Sequence, residues 1–262
     1  MKRRGLICGG LLLVIGCTLF GAAAYLRINP HHIAESRVQA AVEERAETIQ
    51  PQEEAQAPAE AAPAYVSPVD FEELWDMNPD IYAWLYIPGT DVNYPILQRE
   101  GDDSFYLDHN SEGKSSQEGA LFTEETYTKK DFSDPVTLVY GHNMRSGAMF
   151  GNLQETYSSQ GGLEAYRDIV VYLPEQELHY EVFAAVPHDM RHILYYNDFT
   201  DPEVFQKFLE QALSVRSINA NIDENAEVTA EDQLLILSTC LRGDRDQRYL
   251  VLAKRTAESA AP

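Results

Sequence analysis

A cysteine, a histidine and an arginine each stand beside an apolar run in this 262-residue sequence. Cys240 and His142 directly follow such runs, and Arg248 begins one. A thiolate is a nucleophile, an imidazole exchanges protons near neutral pH, and a guanidinium can stabilise negative charge on oxygen. If folding brings the three residues together, they predict nucleophilic attack on a carbonyl carbon.

Each of the three residues also has a purely structural interpretation. Cys240 is the only cysteine after the N-terminal apolar segment, which contains Cys8 and Cys17. It therefore has no disulfide partner in the rest of the chain and is a candidate reactive thiol. A free cysteine is also often a small buried apolar residue. His142 alone could be a hydrogen-bonded structural histidine, and Arg248 alone could be a surface ion-pair partner.

The elements that must position these residues are mostly short apolar segments separated by turns. Strands are predicted at residues 81–87, 92–97, 137–140, 169–173, 178–186, 233–239 and 249–253. The fourth and fifth of these strands form a hairpin. Helices are predicted at residues 70–77 and 201–215, the second with Asp201 as its cap and Pro202 in its first turn. Many short strands with a few helices are typical of a barrel or sandwich.

The N-terminal sequence predicts that the rest of the chain is exported from the cytoplasm. A basic cluster at residues 2–4 precedes an uncharged apolar stretch at residues 5–26, which as a helix would be roughly 33 Å long. This pattern predicts an uncleaved anchor that crosses the cell membrane once, with a cytoplasmic N-terminus and an extracellular catalytic domain. The alternatives are a signal-peptidase site at residues 22–24 and a lipid-bearing Cys17.

Composition divides the chain into segments. We expect a cytoplasmic tip at 1–4, an anchor at 5–26, an Ala/Glu/Pro-rich stalk at 27–68, a catalytic domain at 69–256 and a tail at 257–262. The net charge of −22 argues against nucleic acid as a partner.

Longer stretches of the sequence resemble the sortases, and within them class B. The resemblance is carried by residues 78–98, 106–109, 137–144, 149–153, 237–240 and 248–255. It implies a mostly β protein with accessory helices, built on an eight-stranded sortase β-barrel. One helix would be N-terminal and another would precede the strand leading to Cys240. It also implies a cysteine transpeptidase of Gram-positive bacteria.

The resemblance also implies a mechanism and partners. Cys240 would cleave a C-terminal sorting signal of a surface protein after its Thr, and the signal would be related to Asn-Pro-x-Thr-x. His142 would be the general acid and then the base, and Arg248 would hold the substrate and the oxyanion. A lipid-linked peptidoglycan precursor would supply the acceptor amine. The alternatives are a pilin-polymerising sortase and a thiol protease that releases its substrate by hydrolysis.

Other residues near the three catalytic positions have secondary roles in this prediction. Ser238, Thr239 and Asn143 border the catalytic positions and are predicted to bind substrate. No metal and no organic cofactor are implied. Arg242 and Arg245 lie in the predicted loop 241–247 and are rivals of Arg248, which is preferred because it begins the strand that matches the family.

Overall fold

The computed structural model describes residues 65–256. This part of the chain contains nine strands: β1 Ile81–Tyr86, β2 Asn93–Leu97, β3 Leu121–Phe122, β4 Val136–Tyr140, β5 Asp168–Tyr172, β6 Glu177–Asp189, β7 Asn221–Ile222, β8 Leu234–Leu241 and β9 Asp244–Arg255. It also contains five α-helices: α1 Phe71–Met77, α2 Leu153–Ser158, α3 Gly162–Ala165, α4 Ile193–Tyr196 and α5 Pro202–Leu213. A short 3₁₀ helix spans Phe105–Leu107.

Eight of the strands close into a barrel. The order around it is β5-β1-β2-β3-β4-β8-β9-β6, and pairing of β5 with β6 completes the ring. The pairs β2–β3 and β4–β8 are parallel, and the other pairs in the ring are antiparallel. The remaining strand, β7, pairs with β6. The predicted eight-stranded barrel with accessory helices is confirmed, as is the predicted β5–β6 hairpin.

Alternation along β8 divides its side chains between two apolar cores. Leu235 and Leu237 belong to the core that fills the barrel, whereas Leu234 and Ile236 belong to the core under α5. Helix α5 begins as predicted, because the Asp201 carboxylate accepts a hydrogen bond from the Glu203 N–H at 2.9 Å. The buried face of α5 therefore covers one outer wall of the barrel.

The region around Cys240 differs from the prediction. Strand β8 continues through Cys240 to Leu241, and β9 already begins at Asp244, so the predicted loop 241–247 is a tight hairpin. The turn is possible because Gly243 has a φ of 91°, which is unfavourable for residues with a Cβ atom. Arg248 consequently lies within β9 and not at its start. The sequence did not predict this strand pairing because residues 241–247 are mostly polar, which is typical of a loop.

The predicted membrane localisation is corrected by the structure. Within residues 65–256, none of the helices is long and apolar enough to cross a bilayer. The structure therefore gives no support to the single-pass localisation. The predicted anchor, its alternatives at residues 22–24 and Cys17, and the predicted tail lie outside the described residues.

Candidate active site

The β8–β9 hairpin brings Cys240 and Arg248 together. The two residues are direct cross-strand partners, so their side chains leave the same face of the sheet. The Arg248 guanidinium donates from Nη1 to the Cys240 sulfur at 3.7 Å. Cys240 is a free, half-buried cysteine. A thiol that is reachable from solvent and lies beside a fixed positive charge has the surroundings of a reactive nucleophile.

Parallel pairing of β4 with β8 brings His142 to the same place. Tyr140 is the register partner of Ser238, and the Gly141 N–H donates to the Ser238 carbonyl at 3.1 Å. His142 therefore leaves β4 beside the end of β8 that carries Cys240. Its Nε2 atom lies 2.7 Å from the carbonyl oxygen of Leu107. The imidazole is thus held between the end of β4 and the last residue of the 3₁₀ helix.

All three predicted catalytic residues line one open cleft of about 290 Å³ on the outer wall of the barrel. The other walls are largely apolar. They include Leu107, Phe122, Leu138, Met190 and Ile193. A cleft with apolar walls and a few convergent polar groups is the usual form of a site for a small molecule or a short peptide segment.

The three residues predicted to bind substrate have different surroundings. Ser238 is buried and borders the cleft on the same strand face as Cys240. Thr239 also borders the cleft, but its cross-strand partner Tyr249 belongs to the core inside the barrel. Alternation therefore directs the Thr239 side chain inward. The Asn143 amide donates to the Cys240 carbonyl at 2.7 Å, which ties the His142-bearing loop to β8.

The other arginines near the hairpin and cleft are held elsewhere. The Arg242 guanidinium donates to the Gly151 carbonyl at 2.7 Å. Arg191 lines the cleft, but its guanidinium donates to Asp189 at 2.6–3.0 Å. These hydrogen bonds lower the pKa of Asp189 to about 2. The side chain of Arg245 lies outside the described residues. Among the arginine side chains that the structure describes, Arg248 is thus the one that contacts the sulfur.

The cleft wall also contains a polar group that was not predicted from the sequence. The Glu124 carboxylate accepts from the Tyr140 hydroxyl at 3.0 Å and from His192 Nε2 at 2.9 Å. His192 in turn accepts from the Tyr195 N–H through Nδ1 and so caps α4. Burial raises the pKa of Tyr140, and Glu124 raises it further, so the phenol stays a donor. No spacing pattern links Glu124, Tyr140 and His192, so the sequence does not predict that these residues meet.

Comparison with known proteins identifies the family. The model of the sortase domain matches residues 85–256. Sortase B of Listeria monocytogenes is 29% identical over 184 residues, which cover 65% of this chain and 67% of that protein. Sortase B of Staphylococcus aureus is 28% identical over 186 residues, which cover 70% of this chain and 73% of the relative.

Solved structures agree with these relatives. A structure of sortase B from Bacillus anthracis has a TM-score of 0.63 and 26% identity, covering 76% of this chain and 90% of that chain. A Staphylococcus aureus sortase B–substrate complex has a TM-score of 0.68 and 24% identity, covering 90% of this chain and 99% of that chain, and shows the shared fold. The chain therefore belongs to the sortase family, whose members are cysteine transpeptidases that act on sorting signals. Its relatives are sortase B proteins, so the predictions of class B and of an enzyme are confirmed.

Proposed function

We propose that Cys240 attacks the carbonyl carbon of the Thr in a sorting signal related to Asn-Pro-x-Thr-x. The C–N bond of the scissile amide breaks and a thioacyl-enzyme remains. The amine of a cell-wall peptidoglycan precursor then attacks the thioester and releases the Cys240 sulfur. The surface protein leaves with a new amide bond, and residues 69–256 are the catalytic domain that carries out both steps.

His142 and Arg248 have separate roles in this proposal. His142 gives a proton to the nitrogen of the leaving fragment and later takes one from the incoming amine. The Arg248 guanidinium stabilises negative charge, first on the sulfur and then on the oxyanion of each tetrahedral intermediate. Ser238 and the backbone of Thr239 border the position of the acyl group. Asn143 holds the Cys240 carbonyl and so acts through the nucleophile's own backbone.

One observation carries the proposal. The Arg248 guanidinium lies 3.7 Å from the Cys240 sulfur across a hairpin register pair, in a cleft that His142 also lines. The largely apolar walls support an extended peptide as the ligand. Membership of class B supports a signal of the Asn-Pro-x-Thr-x kind.

The test uses the purified full-length protein and a panel of sorting-signal peptides, each with and without an amine acceptor. Mass spectrometry should detect the cleaved fragment, the acyl-enzyme and the amide product. Cys240→Ala should abolish all three. The matched control, Cys8→Ala combined with Cys17→Ala, removes the two other thiols of the chain and should retain turnover.

The same experiment separates the alternative functions. Cleavage without any amide product at saturating amine would identify a thiol protease. Strong preference for a pilin lysine peptide over a peptidoglycan-type amine would identify a pilin-polymerising enzyme. Retained turnover in Cys240→Ala would overturn the assignment of the nucleophile.

A further inference from the structure

One edge of the His142 ring is covered by the protein. Nε2 lies 2.7 Å from the Leu107 carbonyl oxygen. A carbonyl oxygen only accepts hydrogen bonds, so Nε2 must carry the hydrogen. The neighbouring ring atom, Cδ2, would lie 3.1 Å from a Cβ atom placed on Gly119. The Nε2–Cδ2 edge therefore packs against the segment that contains Leu107 and Gly119, and Nδ1 lies on the opposite edge.

The Leu107 carbonyl is itself held in place through Tyr106. Both residues belong to the short 3₁₀ helix, and Tyr106 is almost completely buried. The Tyr106 hydroxyl donates to the Asp80 carboxylate at 2.7 Å and accepts from the Asn78 amide at 2.9 Å. Burial raises the pKa of Tyr106, as does the hydrogen bond to Asp80, so the hydroxyl keeps its proton. The 3₁₀ helix is thus pinned to the start of β1.

Gly119 allows a second backbone segment to approach the same turn. Its φ is 60°, and a Cβ atom there would lie 2.5 Å from the Tyr106 carbonyl oxygen and 3.0 Å from that of Leu107. The next residue, Ala120, donates its N–H to the Tyr106 carbonyl at 3.0 Å. A side chain at position 119 would therefore push the turn away, together with the carbonyl that contacts His142.

We propose that the Leu107 carbonyl holds His142 as the Nε2–H tautomer, that Nδ1 is the nitrogen that exchanges the catalytic proton, and that Tyr106 and Gly119 are the positioning residues for this contact. The inference rests on the proposed role of His142. It adds which ring nitrogen acts and which residues keep it in that state.

The proton balance follows from this arrangement. The reaction starts when Nδ1 of neutral His142 takes the proton of the Cys240 thiol, so that both ring nitrogens carry hydrogens and the attacking sulfur is a thiolate. After attack, Nδ1–H gives its proton to the leaving amine nitrogen, and neutral His142 keeps Nε2–H on Leu107. When the second amine attacks the thioester, Nδ1 takes a proton from its nitrogen and the thiolate is released. The Leu107 contact is unchanged through the cycle, and it is strongest when the ring is positively charged.

The first test reads the tautomer directly. Nitrogen-15 NMR of the full-length protein, at a pH where the ring is neutral, distinguishes a protonated from an unprotonated ring nitrogen. The His142 signal is assigned by its loss in His142→Gln. We expect a protonated Nε2 and an unprotonated Nδ1. The reverse pattern would overturn this inference, whereas the proposed function is judged separately by whether His142→Gln abolishes peptide cleavage.

The second test perturbs the positioning residues. Gly119→Ala and Tyr106→Phe should each lower kcat about tenfold or more with a small change in KM, because a displacement of about 1 Å can cost roughly 10²-fold in rate. Both should also mix the two tautomers in the NMR spectrum. Tyr157→Phe is the matched control. It removes another buried tyrosine hydroxyl, which donates to the Tyr166 carbonyl at 2.9 Å.

The outcomes of the second test are unambiguous. Tyr106→Phe keeps the ring that fills the buried site, so it tests the inference even if Gly119→Ala fails to fold. Equal effects of Tyr106→Phe and Tyr157→Phe on kcat and on the tautomer would overturn the positioning role. A drop in kcat and a mixed tautomer in Tyr106→Phe alone would support it.

Discussion

Replacing Arg248 should be among the most damaging changes in the cleft. Its guanidinium lies 3.7 Å from the Cys240 sulfur and is fixed there by the register of the β8–β9 hairpin. Arg248→Ala removes a donor aimed at developing negative charge. Loss of one such donor typically costs about 10²–10³ in kcat, or roughly 2.7–4 kcal/mol of transition-state stabilisation. We expect a loss in this range with little change in unfolding free energy.

Arg242 provides the matched control on the same hairpin. Its guanidinium contacts the Gly151 carbonyl at 2.7 Å and Glu155 at 3.5 Å, and its side chain is half exposed. An exposed ion pair typically contributes about 0.2–1 kcal/mol. Arg242→Ala should therefore reduce turnover only a few-fold. Arg248→Lys keeps the positive charge but loses the planar fork of donors, so its turnover should lie between that of the wild type and that of Arg248→Ala.

The assay compares initial rates of sorting-peptide cleavage by liquid chromatography, with urea denaturation of each variant to verify folding. The cleavage rate should be highest for the wild type and lowest for Arg248→Ala. The rates of Arg242→Ala and Arg248→Lys should lie between these two. Equal losses in folded Arg242→Ala and Arg248→Ala would refute the assignment of Arg248. Full activity in Arg248→Lys would show that charge alone is required.

Two further changes test how the cleft is supported. Asn143→Ala removes the 2.7 Å hydrogen bond to the Cys240 carbonyl, so kcat should fall more than KM rises, and Asn143→Asp should be no better because a carboxylate cannot donate. Steady-state kinetics checks this, and a selective rise in KM would instead favour direct substrate binding by Asn143. Phe205→Ala should lower the unfolding free energy by about 3–5 kcal/mol, because Phe205 lies on the buried face of α5 and is fully buried. Urea denaturation measures the loss, and a value below about 1 kcal/mol would contradict the packing.

Many of the barrel strands could be predicted because a short run of apolar residues indicates a buried strand without knowledge of the rest of the fold. Strand β1 is buried at each of its positions and reads as a continuous apolar segment. Helix α5 could be predicted from its Asp cap, its proline in the first turn and its apolar residues at a period of 3.6. Cys240, His142 and Arg248 were predicted to act together because each lies beside such a run. The shared cleft therefore followed from the strands and the family resemblance.

The missed features depend on contacts between distant segments. Strand β3 has two residues and pairs with β2 and β4, so its sequence carries almost no period. The contact between His142 and the Leu107 carbonyl involves a backbone atom, which has no residue signature. Glu124 and His192 are 68 positions apart in the sequence, and only the folded chain brings their side chains into contact. Such contacts are properties of the folded chain and leave no mark on spacing.

The alternation of side chains along β8 explains why the site lies on the outside of the barrel. Leu235, Leu237 and the Thr239 side chain point to the interior, which is filled by packed apolar groups. The alternate residues Ile236, Ser238 and Cys240 point to the outer wall of the barrel. Helix α5 covers Ile236, whereas Cys240 lies in the open cleft. A shift of one residue in the register would bury the thiol inside the barrel and expose leucines. The buried ladder that stabilises the fold therefore also determines that the thiol, its arginine partner and the imidazole all face the same cleft.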